Sequence, residues 1–152
     1  MAQTTGAYSN ACAQVEISTD GLTFTDISGS TQSVSGTEQS KMSGEAYTFD
    51  GKGAIVKGGK FEPLELAFAI VYTEVLTEAY ELARAVFEQA GCEIEVWVRW
   101  SPGGGGVGTN QLTAHGPVTA FTYPAIDAST ATPIMGGFTV KTGAITTAVI
   151  AS

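Results

Sequence analysis

Apolar and polar residues alternate most clearly between Leu64 and Tyr72. Every second side chain there is large and apolar: Leu64, Leu66, Phe68, Ile70 and Tyr72. A period of two predicts a β-strand with one strongly apolar face. The same alternation returns over residues 94–100, where Ile94, Val96, Val98 and Trp100 share one face. Both segments are therefore predicted to be strands.

The segment between these strands has a different period. Its apolar residues recur every three or four positions, at Leu76, Ala79, Tyr80, Ala83, Phe87 and Ala90. This spacing predicts an amphipathic helix over about 77–90. Gly91 is expected to end it, because glycine adopts the left-handed conformation after a last helical turn most easily. A lone helix supplies no series of crossovers for a parallel sheet, so we predict a mainly β (α+β) fold. The expected architecture is an antiparallel β-sandwich or barrel-like sheet with one flanking α-helix.

Turn signals place further strands along the chain. Asp20-Gly21 separates two alternating segments, 13–17 and 22–25, and Asp-Gly is a strong hairpin signal. A second turn, Asp50-Gly51-Lys52-Gly53, is predicted to join short strands at 46–49 and 54–57. Later strands are expected near 111–115, 118–123, 130–140 with a break at Gly136-Gly137, and more weakly within 144–150.

The chain of 152 residues is predicted to form a single domain, 1–152. Residues 1–11 are small and polar and are expected to form an arm that is ordered when something binds it. Residues about 28–60 are predicted to form a long extended loop. A loop of this length is usually functional or docks on a partner. Four of the seven basic residues lie in it and are candidates for contacts between subunits: Lys41, Lys52, Lys57 and Lys60.

Charge narrows the range of functions. The net charge is −8, and such a surface repels nucleic acid and anionic membranes. Charged residues make up 14% of the chain, well below the roughly 25% of a typical soluble domain. Low surface charge suits a protein that covers its surface with copies of itself, and also a secreted β domain. The N-terminus lacks the basic and apolar regions of a signal peptide. No apolar run approaches the length that spans a bilayer.

The residue types that usually carry chemistry occur without a supporting pattern. Gly103, Gly105 and Gly108 match G-x-G-x-x-G, but no helical pattern follows, so a hairpin tip is expected rather than a dinucleotide site. His115 is the only histidine, and with Cys12 and Cys92 it cannot assemble a structural zinc site within one chain. No catalytic, cofactor-binding or metal-binding residues are predicted, and no cofactor is expected.

Two nearby carboxylates have to be considered as a possible catalytic pair. Glu93 and Glu95 would lie about 7 Å apart on one strand face, a separation compatible with a glycosidase pair. Sugar-stacking aromatics beyond Trp97 and further acids on neighbouring strands are not evident. A solvated or lumen-facing strand face is the preferred interpretation.

The order of elements resembles that of the tail tube (major tail) proteins of long-tailed bacteriophages, and more distantly the tube proteins of contractile injection systems. The segments that carry the resemblance are 15–21 with 24–29, 44–51, the 64–72 strand with its helix, and 97–102. The resemblance implies a structural virion protein, not an enzyme, whose six copies close into a ring. Stacked rings would form a hollow tube through which DNA passes without specific binding.

The resemblance also implies partners, a location and site residues. The partners would be further copies of the chain together with tape measure, tail terminator and tail tip proteins, with no membrane. The protein would be made in the host bacterial cytoplasm and reside in the phage tail. The basic loop would reach neighbouring subunits and rings. An acidic lumen would repel the DNA phosphates, and the candidates for it are Glu62, Glu65, Glu93 and Glu95.

Other functions stay open at this point. A secreted or surface β-sandwich module for adhesion or carbohydrate binding would be a monomer using Trp97 and Trp100 as a platform. Another virion part, such as a tail terminator or a capsid decoration protein, would share acidity and β structure without forming long tubes. An enzyme is the third possibility, but the chain offers no plausible nucleophile, base or metal set.

Overall fold

The computed structural model describes residues 2–91 and 94–151. In this part of the chain, eleven β-strands and one α-helix follow a short 3-10 turn at Asn10–Cys12. The strands are β1 (Gln14–Ser18), β2 (Thr25–Asp26), β3 (Thr31–Ser35), β4 (Lys41–Ala46), β5 (Ile55–Phe61), β6 (Leu64–Val71), β7 (Val96–Ser101), β8 (Asn110–Gly116), β9 (Val118–Thr122), β10 (Met135–Thr142) and β11 (Thr146–Val149). The helix α1 spans Ala79–Glu88 and lies between β6 and β7 in the chain. The mainly β fold with one flanking helix is confirmed.

Two sheets form the sandwich, and all their strand pairs are antiparallel. The first sheet has the order β11-β8-β7-β1-β2, and the second has the order β3-β6-β10-β9. The remaining two strands, β4 and β5, pair only with each other. In the second sheet β6 and β10 are in register over their whole length, with Phe68 opposite Phe138.

The core lies between the two sheets. Along β6 the side chains alternate between buried and exposed or half-buried, as the sequence pattern predicts. Phe68 and Phe138 stack with their ring centroids 4.6 Å apart. From the first sheet, Val15, Ile17, Val96, Val98 and Ala114 fill the opposite side. Each large apolar side chain buried here stabilises the fold by roughly 1.5–3 kcal/mol.

Helix α1 closes one side of the sandwich. Its buried residues are Ala79, Tyr80, Ala83 and Val86. Tyr80 packs edge-on against Tyr72 at 4.7 Å and against Phe121 at 5.2 Å between ring centroids. At the start of the helix the Ala79 amide donates a hydrogen bond to Ser30 Oγ over 3.2 Å. The helix is thus attached to both the core and the loop before β3.

The helix is shorter than the predicted 77–90. Leu76 is 76% exposed before the helix begins, so its place in the apolar periodicity was coincidental. The helix ends at Glu88, and the backbone of the next residue, Gln89, is already extended. Gly91 has a φ of +132° two residues further on, so it does not serve as the left-handed cap that the sequence suggested.

The predicted loop 28–60 contains three strands. β3 is an edge strand of the second sheet beside β6, so the part that projects is the β4–β5 hairpin with its flanking residues. The hairpin prediction is confirmed, but its strands lie further from the turn, at Lys41–Ala46 and Ile55–Phe61 rather than 46–49 and 54–57.

The strand prediction at 130–140 also changes. β10 runs unbroken through Gly136-Gly137 from Met135 to Thr142. A Cβ at Gly136 would lie 3.1 Å from a ring carbon of Tyr80. The missing side chain makes room for the helix instead of breaking the strand. The β1–β2 hairpin and the strand near the C-terminus are confirmed.

Candidate assembly surfaces

The β4–β5 hairpin is highly exposed. Every residue in both of its strands is exposed. Its large apolar side chains have no cover, and they are Met42, Tyr47, Phe49, Ile55, Val56 and Phe61. A lone two-stranded hairpin is marginally stable in water. Its apolar side chains therefore indicate a surface that contacts another molecule.

All four predicted lysines lie on this hairpin. Lys41 is on β4, Lys57 and Lys60 are on β5, and Lys52 is in the connection between the strands. Lys41 Nζ lies 5.0 Å from the centroid of the Phe61 ring, a cation–π contact. Residues 41–61 carry a net charge of +2, from four lysines against Glu45 and Asp50, whereas the whole chain has −8. The hairpin is therefore basic on an otherwise acidic molecule.

The hairpin is attached at one end of the sandwich. The Glu62 amide donates to the Ser40 carbonyl over 2.8 Å where the two strands leave the body. Gln39 adds two contacts: its Nε2 donates to the Glu62 carbonyl over 2.7 Å, and its Oε1 accepts from the Ile145 amide over 3.0 Å. These bonds fix the base of the hairpin while leaving the rest exposed.

Helix α1 begins at the opposite end of the sandwich. Strand β6 starts at Leu64 beside the base of the hairpin and finishes at Val71. The Val71 amide donates to the Ser30 carbonyl over 2.8 Å, next to the Ser30 hydroxyl that receives the Ala79 amide. The hairpin and the helix start are thus separated by the whole length of β6.

The four candidate lumen acids are not brought together. Glu65 is exposed on the outer face of the second sheet, where its cross-strand neighbour is Lys141. Glu95 Oε2 contacts His115 Nε2 on the outer face of the first sheet. Glu62 is exposed in the turn between β5 and β6, and Glu93 lies outside the described residues. Glu65 and Glu95 therefore lie on opposite sides of the sandwich.

The central part of the outer face of the second sheet is made of small side chains. Cross-strand partners place the following residues on it: Ser33, Ser35, Ala67, Ala69, Ala120, Thr122, Gly137 and Thr139. Its charged pair, Glu65 and Lys141, is at the end nearest the hairpin. The sequence indicated this small, uncharged face through alternate positions of β6, which are occupied by Ala67 and Ala69.

The outer face of the first sheet is charged and aromatic. Arg99 Nε donates to Glu16 Oε2 over 2.8 Å, and the guanidinium lies 3.7 Å above the Phe24 ring. His115 stacks on Trp97 with the ring centroids 4.8 Å apart. The Arg99–Glu16 pair was missed by sequence reasoning because the two residues are 83 positions apart in the chain.

The two tryptophans do not form one platform. Trp97 faces outward beside His115, whereas Trp100 packs against the core from the inner face of β7. A carbohydrate-binding surface usually needs aromatic rings that share a face. This geometry counts against the carbohydrate-binding reading.

The polar side of the helix is internally paired. Arg84 forms ion pairs with Glu81, three residues before it, and with Glu88, four residues after it, the latter over 3.0 Å. The Tyr123 hydroxyl donates to Glu88 Oε1 over 3.1 Å. Partial burial, followed by this hydrogen bond, raises the pKa of Tyr123. These contacts hold loop and helix together.

A groove of about 510 Å³ opens between the edge strand β3 and the first-sheet strands β1 and β7. Its apolar wall consists of Val15, Val34 and Trp100. Its rim includes Tyr8 of the N-terminal arm and Ser28 of the loop before β3. None of the groove's lining residues in the described chain is charged.

The candidate chemical motifs have structural roles. The Gly103–Gly108 segment is the turn between the antiparallel strands β7 and β8, so the predicted hairpin tip is confirmed. Within residues 2–91 and 94–151, no three His, Cys, Asp or Glu side chains form a cluster that could hold a metal. No helix in the same residues has both the length and the hydropathy to cross a membrane.

Comparison with known proteins identifies the fold. No protein-family model matches the sequence, and no curated protein matches it. Among solved structures, the chain is similar to one from the PVC sheath–tube complex of an extracellular contractile injection system in the extended state. That match has a TM-score of 0.75 and 13% identity over 96% of this chain and 94% of the other.

Two further structures show the same likeness. The chain is similar to one in the tube-terminating cap of the anti-feeding prophage, with a TM-score of 0.69 and 12% identity over 98% of this chain and 95% of that one. It is also similar to one in the tail of an empty GTA particle refined with C6 symmetry. There the TM-score is 0.65 at 15% identity, over 94% and 100% of the two chains.

These neighbours come from a sheath–tube complex, a sheath/tube terminator and a tube-terminating cap. At such low identity the likeness concerns the fold. The chain therefore has the fold of the tube and terminator proteins of contractile injection systems and phage-like tails.

Proposed function

We propose that this chain is the repeating subunit of a phage-tail tube, which assembles into six-membered rings that stack into a hollow cylinder. The observation that carries the proposal is the β4–β5 hairpin, which exposes apolar and basic residues at one end of a sandwich with the tail-tube fold. A contact surface that differs from the surface it binds generates rings or filaments rather than closed dimers.

The outer face of the second sheet suits the wall of the channel. Its central residues are Ser, Thr, Ala and Gly, which project little into a lumen and offer DNA no basic side chains to bind. Edge strands β3 and β9 place one copy's sheet beside the next around the ring. In this arrangement Glu65, and Glu62 at the same end, face the lumen, whereas Glu95 faces outward on the first sheet.

The partners follow from this role. The tube would contact further copies of the chain along its length, and a tape measure protein inside it. Tail terminator and tail tip proteins would bind at its ends, and DNA would pass without specific binding. The protein would be made in the host bacterial cytoplasm and function in the virion.

Electron microscopy of the purified chain over a range of concentrations tests the proposal. We expect long hollow tubes with six-fold rings. A species that stays monomeric at the highest concentration would contradict it and favour an adhesion module.

A tube terminator is the second candidate, because chains from a tube terminator and a tube-terminating cap share the fold. A terminator would give single rings that do not stack when examined under the same conditions. Single rings at every concentration would therefore favour a function as tube terminator over a function as tube subunit.

The lumen assignment has its own test. Glu65→Lys should leave tubes intact but reduce infectivity, because a ring of new lysines would bind the passing phosphates. Glu95→Lys is the matched control on the opposite face and should affect infectivity less. Equal effects of the two substitutions on infectivity would show that the second sheet does not form the channel wall.

A further inference from the structure

The glycine-rich turn between β7 and β8 lets another segment approach its backbone closely. Gly104 and Gly105 have φ values of +90° and +80°, in the left-handed region that favours glycine. Gly103 lies outside that region, so its backbone conformation does not require a glycine. Contacts outside the turn therefore have to account for part of this glycine run.

The N-terminal segment occupies the space that side chains of the turn would fill. A Cβ at Gly103 would lie 3.2 Å from Tyr8 Cζ. A Cβ at Gly104 would lie 2.8 Å from the Cys12 carbonyl oxygen, which is closer than real Cβ contacts come. Residues 2–13, which precede β1, therefore lie against the turn, and we call them the strap.

Gln14, the first residue of β1, continues the same contact. A Cβ at Gly105 would lie 1.9 Å from Gln14 Oε1. The amide of that side chain is held in place, since Gln14 Nε2 donates to Asp26 Oδ2 over 3.2 Å. Three consecutive glycines thus each make room for one residue of the N-terminal segment, and we call Gly103–Gly105 the cradle.

The C-terminal end of the chain holds the turn from its other side. The Gly108 amide donates to the Ile150 carbonyl over 2.8 Å, and the Ile150 amide donates to the Thr109 carbonyl over 3.0 Å. These two bonds fix the second half of the turn to the residue that follows β11. The cradle is therefore a firm support against which the strap can move.

The strap itself is attached weakly. In the described part of the chain, the hydrogen bonds of residues 2–12 stay within the strap; Ser9, for example, accepts the amides of Ala11 and Cys12, each over 3.2 Å. Every residue of the strap is exposed. Segments with few buried contacts open locally at a low cost in free energy. The strap can therefore leave the cradle while the sandwich stays folded.

The strap forms one side of the groove beside β3. Its residues that line the groove are Tyr8, Ser9, Asn10 and Ala13. Trp100 and Pro102, which come just before the cradle in the sequence, line the same groove. Since Trp100 is only half-buried with the strap in place, removal of the strap would expose it further.

We propose that residues 2–13 are a releasable strap, which rests on the Gly103–Gly105 cradle in the unassembled chain and shields the apolar side of the groove. An uncovered apolar patch promotes association with other apolar surfaces. The strap limits this exposure of Trp100 and Val15 until it is displaced. It is a property of the free chain and goes beyond the proposed tube function, because it does not depend on whether the chain forms tubes.

Two glycines of the same turn provide a matched pair of variants. Gly103→Leu places a side chain where Tyr8 rests, whereas a Cβ at Gly106 meets nothing within 4 Å, so Gly106→Leu is the control. Neither glycine has a positive φ. Limited chymotrypsin digestion of the unassembled chain then measures cleavage after Tyr8.

We expect Gly103→Leu to raise the rate of cleavage after Tyr8 by about threefold or more, because proteolysis follows the population of the open form. Gly106→Leu should leave this rate unchanged. Cleavage after Phe49 in the β4–β5 hairpin is the internal reference and should be equal in all three proteins. Equal rates of cleavage after Tyr8 would show that the cradle does not hold the strap and would overturn the proposal.

A second measurement does not alter the turn. With Trp97→Phe as background, Trp100 is the only tryptophan, so acrylamide quenching of its fluorescence reports access to the groove. Tyr8→Ala should raise the quenching constant by about twofold or more as the strap opens. Tyr47→Ala, which removes a 76% exposed tyrosine from the hairpin, is the control and should have no effect. An unchanged quenching constant in Tyr8→Ala would contradict the shielding of the groove, even if the Gly103 variant failed to fold.

Discussion

Strands β5 and β6 are neighbours in the chain, separated only by Glu62 and Pro63, yet their environments are opposite. All seven residues of β5 are exposed, whereas four of the eight in β6 are buried. Both strands have antiparallel partners, so hydrogen bonding does not explain the difference. A second layer covers β6 and not β5. Stability of the isolated chain therefore depends on the sandwich, and the hairpin is available for assembly.

The largest contrast is expected from truncating one phenylalanine in each region. Phe68→Ala removes a ring that stacks on Phe138 and should lower the free energy of unfolding by about 3–5 kcal/mol. Phe49→Ala should change it by less than about 0.5 kcal/mol, as for an exposed site. Urea denaturation of the unassembled chain measures both. A comparable loss from Phe49→Ala would mean that the hairpin packs on its own sandwich.

Two glycines, one in the sandwich and one in the hairpin, allow the same comparison with a smaller expected effect on stability. A Cβ at Gly116 would lie 1.9 Å from the Lys141 carbonyl oxygen, where β8 approaches β10, so Gly116→Ala must push two strands apart. We expect a loss of about 1–3 kcal/mol, as for overpacking. Around Gly58 on β5 an added Cβ meets nothing within 4 Å.

Gly58→Ala should accordingly be neutral or stabilise the chain by a few tenths of a kcal/mol, because alanine restricts the unfolded chain more than glycine does. Thermal unfolding of the two variants gives the comparison. Equal losses would show that β5 is packed against another layer when the chain is folded.

The third prediction compares two cation–aromatic contacts. Arg99 combines an ion pair to Glu16 with a stack on Phe24, and its side chain is 29% exposed. Arg99→Ala should cost about 1–2 kcal/mol, since a partly buried Glu16 loses its partner. Lys41→Ala removes one exposed contact with Phe61 and should cost about 0.5 kcal/mol or less. Denaturation at low and high salt distinguishes the two contacts. Salt should abolish the stability loss caused by Lys41→Ala but not the loss caused by Arg99→Ala.

Whether a prediction from the sequence was correct depended on whether its signal lies in adjacent residues. The alternation in β6 and the Asp20-Gly21 turn depend on adjacent residues, and both were correct. The Arg99–Glu16 pair depends on the register of β1 against β7, which no local pattern encodes. The orientation of Glu65 and Glu95, on the outer faces of different sheets, likewise depends on contacts between distant residues. Each residue alternates correctly with its neighbours, but only the sandwich decides which way each sheet faces.

The hairpin was difficult to predict for a different reason. Its strands carry Gly58-Gly59 and no regular alternation, because neither face is buried in the isolated chain. Periodicity reflects burial, and a strand with neither face buried lacks the strict pattern. The cluster of Lys41, Lys52, Lys57 and Lys60 was the signal that the sequence did provide, and all four lysines lie on this hairpin.

The smallest expected effect concerns pH and compares one turn of the sandwich with the hairpin connection. Asp20 Oδ1 accepts the amides of Leu22 over 2.8 Å and Thr23 over 2.9 Å. The Thr23 bond, followed by the Leu22 bond, lowers the pKa of Asp20 below its ordinary value of 3.8. A lowered folded-state pKa contributes stability that is present above pH 3.8 and is lost as the pH falls through the folded value.

Asp20→Asn should therefore reduce stability slightly at pH 7 and make it less sensitive to pH below 4. Asp50→Asn in the hairpin connection is the control, and its profile should follow the unmodified chain. Parallel profiles for all three proteins would mean that the Asp20 turn forms equally well in the unfolded chain.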